Sequence, residues 1–130
     1  MRHLLIPLVL CTLALSAHAK EEENLLLYEG EWTLRGPDGQ AARLLISQWD
    51  GRWQETGAKR AVADAACRGK PFPVTVHHSN RSEFEFTAWG SAIAPACPDI
   101  SFSMKPVDER TLEGSTGSGV KVRMTRAKRK

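Results

Sequence analysis

From Gly30 onward the chain alternates apolar and polar residues with a period of two, the spacing of a strand that buries one face. In Gly30 to Arg35, Trp32 and Leu34 share one face, and Thr33 and Arg35 take the other. Arg35 to Gln40, with its Gly-Pro and Asp-Gly pairs, then reverses the chain. Ala41 to Trp49 predicts the next strand, but its run Leu44-Leu45-Ile46 fits either phase and leaves the register open. Asp50-Gly51 is the sharpest hairpin signal, because a two-residue primed turn wants positive φ at both positions. It predicts Trp49 paired closely with Arg52 and Trp53. Gly57 to Ala66 holds five alanines and predicts a long loop or one short helix ending at Cys67.

The second half alternates more cleanly. Phe72, Val74, Val76 and His78 alternate with Pro73, Thr75 and His77; Phe84, Phe86 and Ala88 alternate with Glu83, Glu85 and Thr87. After a loop from Gly90 to Asp99, Ile100, Phe102 and Met104 alternate with Ser101, Ser103 and Lys105. A turn at Pro106 to Arg110 leads to a short strand around Thr111 to Ser115. A Gly-rich turn then leads to Val120, Val122 and Met124, set against Lys121, Arg123 and Thr125. Asn24 to Tyr28, ahead of all these, predicts a half-turn of helix or a plug over a core opening.

About eight short strands result, each with one apolar and one polar face, as in antiparallel sheets. Closing such a sheet on itself removes its exposed edges. The sequence therefore predicts an all-β fold, an antiparallel up-and-down barrel of about eight strands, with a two-sheet β-sandwich as the alternative. The expected interior comprises Trp32, Leu34, Phe84, Phe86, Ile100, Phe102, Val120, Val122 and Met124.

With 130 residues the chain allows one domain. Its first nineteen residues read as a secretory signal peptide: a short basic start, a mostly apolar Leu4 to Leu15, and a small-x-small site ending at Ala19. An apolar run of about a dozen residues is too short to span ~30 Å of bilayer. Leu10 before Cys11 argues against a lipoprotein site. The expectation is a soluble barrel domain over 20–130, without a membrane span, in the periplasm or outside the cell.

Cleavage there leaves two cysteines, Cys67 and Cys97, in a compartment where disulfides persist, and predicts that they pair. It also removes Arg2, so the formal charge of +3 falls by one. Lys121, Arg123, Arg126, Lys128, Arg129 and Lys130 make a basic C-terminal tail over 121–130. A terminal charge run is usually a solvated end, and no aromatic residue interleaves with this one, which argues against nucleic acid.

Gly30-Glu31-Trp32 at the entry of the first strand, in an exported eight-strand meander, resembles the calycins, the superfamily of lipocalin-like, fatty-acid-binding-like and avidin-like barrels. Their first strand carries Gly-x-Trp, and their last often ends in an Arg or Lys lying across the tryptophan. The resemblance implies that Gly30, Trp32 and Arg126 (failing that, Arg123) close one end of a barrel. Arg126 has the inward parity of Val122 and Met124, and its guanidinium over the indole is worth about 0.5 to 2 kcal/mol. Gly30 is expected to let neighbouring backbone come close. The Asn, Ser and Tyr types that hold biotin in avidin-like proteins are not in place after Trp32. Bacterial metalloprotease inhibitors of similar build carry their cysteines earlier than Cys67 and Cys97.

Candidate chemistry is sparse. His77 and His78 are adjacent, so on a regular strand they point to opposite faces and cannot share a metal; one is expected exposed and one semi-buried. No His-x-His, Glu-x-x-His or phosphate-cradling loop occurs, and the sequence predicts neither an enzyme nor a cofactor or metal site. Trp49, Trp53 and Trp89 are the expected rim of a ligand or partner site, with any small-molecule site shallow. Two functions follow: binding of a small apolar or amphipathic ligand, or protein contact as a hydrolase inhibitor or accessory subunit. An open interior favours the first and a filled one the second.

Overall fold

The computed structural model describes residues 24–59, 62 and 64–128; the expected leader lies outside them. The alternating runs become eight strands: β1 (Gly30–Arg35), β2 (Ala41–Ser47), β3 (Asp50–Glu55), β4 (Phe72–Ser79), β5 (Phe84–Trp89), β6 (Asp99–Asp108), β7 (Thr111–Thr116) and β8 (Lys121–Arg126). Each pairs antiparallel with its sequence neighbours, and β8 closes the ring against β1. The fold is therefore all-β, a closed up-and-down barrel, and the sandwich alternative is excluded.

Inside, the apolar faces meet. Trp32, Leu44, Phe72, Phe84, Phe86, Met104, Leu112 and Met124 are among its most deeply buried side chains. Burying one such side chain contributes about 1.5 to 3 kcal/mol, which is how eight short strands make a core. The open phase of β2 resolves with Ala42, Leu44 and Ile46 inward and Leu45 outward.

Several expectations about the strands are corrected, the first at the β2–β3 turn. The β2–β3 reversal falls at Gln48 and Trp49, with Gln48 at φ 56, and Asp50-Gly51 already belongs to β3. Register is thus Ser47 to Asp50, Ile46 to Gly51 and Leu44 to Trp53. The glycine serves close approach, not the turn: a Cβ on Gly51 would stand 2.3 Å from the Leu45 carbonyl oxygen. As a result Trp53 points inward and is 4% exposed, where a rim position was expected.

Second, a register shift between Val76 and His78 breaks the alternation of β4, and both histidines are exposed. Third, Val120 precedes β8 and is 43% exposed, so it leaves the expected interior. Fourth, Pro106 does not start a turn: β6 runs on to Asp108 with an irregularity at Pro106 to Asp108.

In an up-and-down ring, successive turns fall at alternate ends. The β2–β3, β4–β5 and β6–β7 turns share one end with the start of β1 and the end of β8, and this end is shut. Residues 24–26 form a helical turn anchored by Ser79 Oγ, which donates to the Asn24 carbonyl at 2.7 Å. Tyr28 follows, buried, its hydroxyl donating to the Asn80 carbonyl and its ring 4.5 Å from that of Phe84. Trp32 Nε1 donates to the Tyr28 carbonyl at 2.9 Å. The Arg126 guanidinium lies 4.3 Å from the Trp32 ring centre and donates to the Glu29 and Leu27 carbonyls at 2.6 and 2.8 Å.

Gly30 has a different reason from the expected one. An added Cβ would meet nothing nearer than Arg126 Nη1 at 3.6 Å, but φ is +113°, which L side chains rarely adopt.

The plug makes a prediction for the single tyrosine. Burial of Tyr28 raises its phenol above the ordinary value of 10.0, because the charged form loses solvation. A group raised on folding favours the fold below its unfolded value and loses that contribution as pH rises through the folded one. Phenolate absorbance of the folded protein should therefore titrate above pH 10.0, and that of the denatured chain near the ordinary value. Coincident midpoints would place Tyr28 in solvent.

Candidate functional site

The opposite end carries the β1–β2, β3–β4, β5–β6 and β7–β8 connections, and a pocket opens among them. Aromatic rings fill the interior from the plug upward. Tyr28 touches Phe84, Phe84 lies 5.2 Å from Phe86, and Phe86 stacks on Phe102 at 4.6 Å. On β3 and β4 the rings continue past Phe102, where fully buried Phe72 packs on Trp53 at 5.1 Å. At the mouth, Ala42, Thr116, Gly117 and Val122 are modest in size and border a pocket of about 560 Å³ that is open to solvent. That volume lies within the ~300–1,000 Å³ usual for small-molecule sites.

Its walls are Leu34, Ala42, Trp53, Ile100, Phe102 and Val122, and its mouth carries Arg35, Gln40, Asp99, Ser101 and Ser118. The site is thus apolar at depth and polar at the rim. Asp99 accepts from the Ser91 amide at 2.9 Å, and this bond holds its carboxyl below the ordinary 3.8.

Two connections shape the mouth. Val62, from the β3–β4 connection, reaches the cavity wall and is 2% exposed. Its amide donates to Glu55 Oε2 at 3.5 Å, and its carbonyl accepts from Arg68 Nε at 3.3 Å. The Cys67–Cys97 disulfide then ties this connection to the one between β5 and β6, across a Cα–Cα distance of 5.5 Å.

The three rim tryptophans do not come together. Trp53 alone lines the cavity, well inside, its ring 5.1 Å from Phe72. Trp49 sits on the β2–β3 turn at the shut end, 48% exposed. Trp89 lies on the outer face of β5, where its indole N–H donates to Thr75 Oγ1 at 3.0 Å and its ring meets His77 edge-on. Parity placed Trp89 outward correctly, but it borders no part of the cavity.

Sequence reasoning missed Glu55, which is 4% exposed at the cavity wall. The signal was parity: Gly51, Trp53 and Glu55 share a face, so an inward Trp53 carries Glu55 inward with it. A second missed feature concerns the indoles. Trp32 and Trp89 each donate to an oxygen, and Trp49 is open to solvent. The N–H of Trp53 is buried and has no hydrogen-bond partner among the described residues. Leaving such a donor unmet costs about 1 to 3 kcal/mol.

On the outer face, His77 Nε2 lies 2.7 Å from Thr87 Oγ1, which is 3.2 Å from Ser101 Oγ. This row ties β4 to β5 and β6. His78 instead faces Asn80 and Glu83. Among the described residues no group of three or more His, Cys, Asp or Glu is placed to hold a metal ion, and no helix is long and apolar enough to cross a membrane.

No family model matches the chain, and no curated protein matches it. Among solved structures it is similar to a redesigned beta barrel, with 15% identity and a TM-score of 0.42 over 82% of this chain and 96% of that one.

Proposed function

We propose that the protein is an exported, calycin-like barrel that binds a small apolar or amphipathic ligand through its open end. One observation carries the proposal: a pocket of about 560 Å³ opens among the connections at this end, with Leu34, Ala42, Trp53, Phe102 and Val122 in its lining. An apolar body entering that space leaves water for contact with Leu34, Trp53, Phe102 and Val122, while a polar group stays among the rim side chains. The shut end supports the calycin resemblance, since Gly30, Trp32 and Arg126 meet there as the resemblance implies. Export is supported by the leader-like pattern of residues 1–19 and by the Cys67–Cys97 bond. The alternative of a protein-contact module has no shared tryptophan patch to rest on, because Trp49, Trp53 and Trp89 lie apart.

Titration with anilinonaphthalene sulfonate, whose fluorescence rises in apolar surroundings, tests the proposal. Saturable binding at one site per chain is expected. Ala42→Trp should fill the cavity and weaken that binding by tenfold or more, at an overpacking cost of about 1 to 3 kcal/mol that leaves the barrel folded. Unchanged binding in a folded Ala42→Trp protein would remove the ligand from the cavity.

A further inference from the structure

The turn between β4 and β5 holds the plug at two points. Ser79 Oγ donates to the Asn24 carbonyl, and the Asn80 carbonyl accepts from the Tyr28 hydroxyl. The turn itself is built on the Asn80 side chain, whose Oδ1 accepts from the Ser82 and Glu83 amides at 2.8 and 2.9 Å. With Oδ1 so occupied, the carboxamide nitrogen is the atom that faces His78, and Nδ2 lies 2.8 Å from His78 Nε2. An amide nitrogen only donates, so Nε2 must accept, which places the proton of the neutral ring on Nδ1.

The same Nε2 stands 3.5 Å from Glu83 Oε2, and a carboxylate oxygen only accepts. One ring nitrogen cannot serve both partners in one protonation state. Neutral, it takes the Asn80 N–H; protonated, it becomes a donor, loses that bond and has the Glu83 carboxylate beside it. Both side chains are half-exposed, so the proton exchanges directly with solvent. The other charged or titratable groups nearest along the hairpin are Glu85, opposite His78 on β5, Arg81 in the turn, and His77, which is turned to Thr87.

We propose that this hairpin is a pH-sensitive element. His78 changes partner on protonation, from the Asn80 carboxamide to the Glu83 carboxylate, and the change reaches the plug that Ser79 and Asn80 hold. This role is independent of any ligand in the pocket at the other end.

Nuclear magnetic resonance of the full chain at about pH 8 and about pH 5.5, either side of the range in which imidazoles ordinarily change charge, tests it. At the higher pH the His78 ring is expected to carry its proton on Nδ1, with Nε2 showing the nitrogen shift of an unprotonated atom. A proton on Nε2 there would overturn the proposal, because that nitrogen could not then accept from Asn80. At the lower pH the Asn80 side-chain amide and the backbone amides of Leu25 to Tyr28 are expected to shift in the wild type. In His78→Gln, whose side-chain oxygen still accepts but takes up no proton, the same signals should stay in place. Equal shifts in both proteins would overturn the proposal, since another group then drives them. Plug amides that stay in place in the wild type would overturn it as well.

Discussion

Trp32→Ala is expected to destabilise the barrel by about 3 to 5 kcal/mol, as removal of a large, fully buried side chain does. Trp32 is 1% exposed and joins three elements at the shut end: the Tyr28 plug through its indole N–H, β8 through the Arg126 guanidinium, and the interior through its ring. Loss of the ring leaves a cavity, and it leaves the Tyr28 carbonyl without its donor. Arg126→Ala should act in the same direction by a smaller amount, since it removes the cation–π contact, worth about 0.5 to 2 kcal/mol, along with the bonds to Glu29 and Leu27. Urea unfolding followed by tryptophan fluorescence measures both. A loss under about 1 kcal/mol for Trp32→Ala is typical of exposed sites and would contradict its place in the closure.

Reduction of Cys67–Cys97 is expected to cost about 3 to 4 kcal/mol in the chain-entropy account, given a sequence separation of 30. A domain of this size has a thin margin, so the reduced protein should melt at a clearly lower temperature. The bond also anchors the connection that carries Val62 to the mouth, so the reduced protein should bind an apolar dye more weakly while still folded. Thiol titration of the denatured, unreduced chain without residues 1–19 should find no free thiol. One or two thiols per chain, or an unchanged melting temperature on reduction, would contradict the staple.

The strands and their faces were legible because a residue's side of a barrel wall depends on parity, and parity is local. For the same reason Arg126 could be assigned to the shut end from its spacing to Val122 and Met124. Contacts between strands were less legible. Asp50-Gly51 has the composition of a turn, but Gly51 answers the crowding of the Leu45 carbonyl across the strand pair, and composition does not record which carbonyl lies opposite. One misplaced turn then put Trp53 at the rim and hid Glu55.

The irregularity after Val76 had no sequence signal, and it turned His78 outward beside His77. The cavity was beyond reach for another reason. Interior space depends on how rings from different strands stack at each level, and alternation records only that they point inward. The large residues Phe84, Phe86 and Met124 suggested a filled barrel, and the pocket lies toward its mouth, among the connections.

The central claim, that a ligand enters the open end, is tested most directly by amide shift mapping of the isotope-labelled protein during titration with anilinonaphthalene sulfonate. Saturable shifts are expected at Leu34, Ala42, Trp53, Phe102 and Val122, with Tyr28, Trp32 and Phe84 at the shut end unmoved. Shifts gathered instead on the outer face around Thr75, His77 and Trp89, or no saturable shift at all, would contradict a ligand-binding barrel.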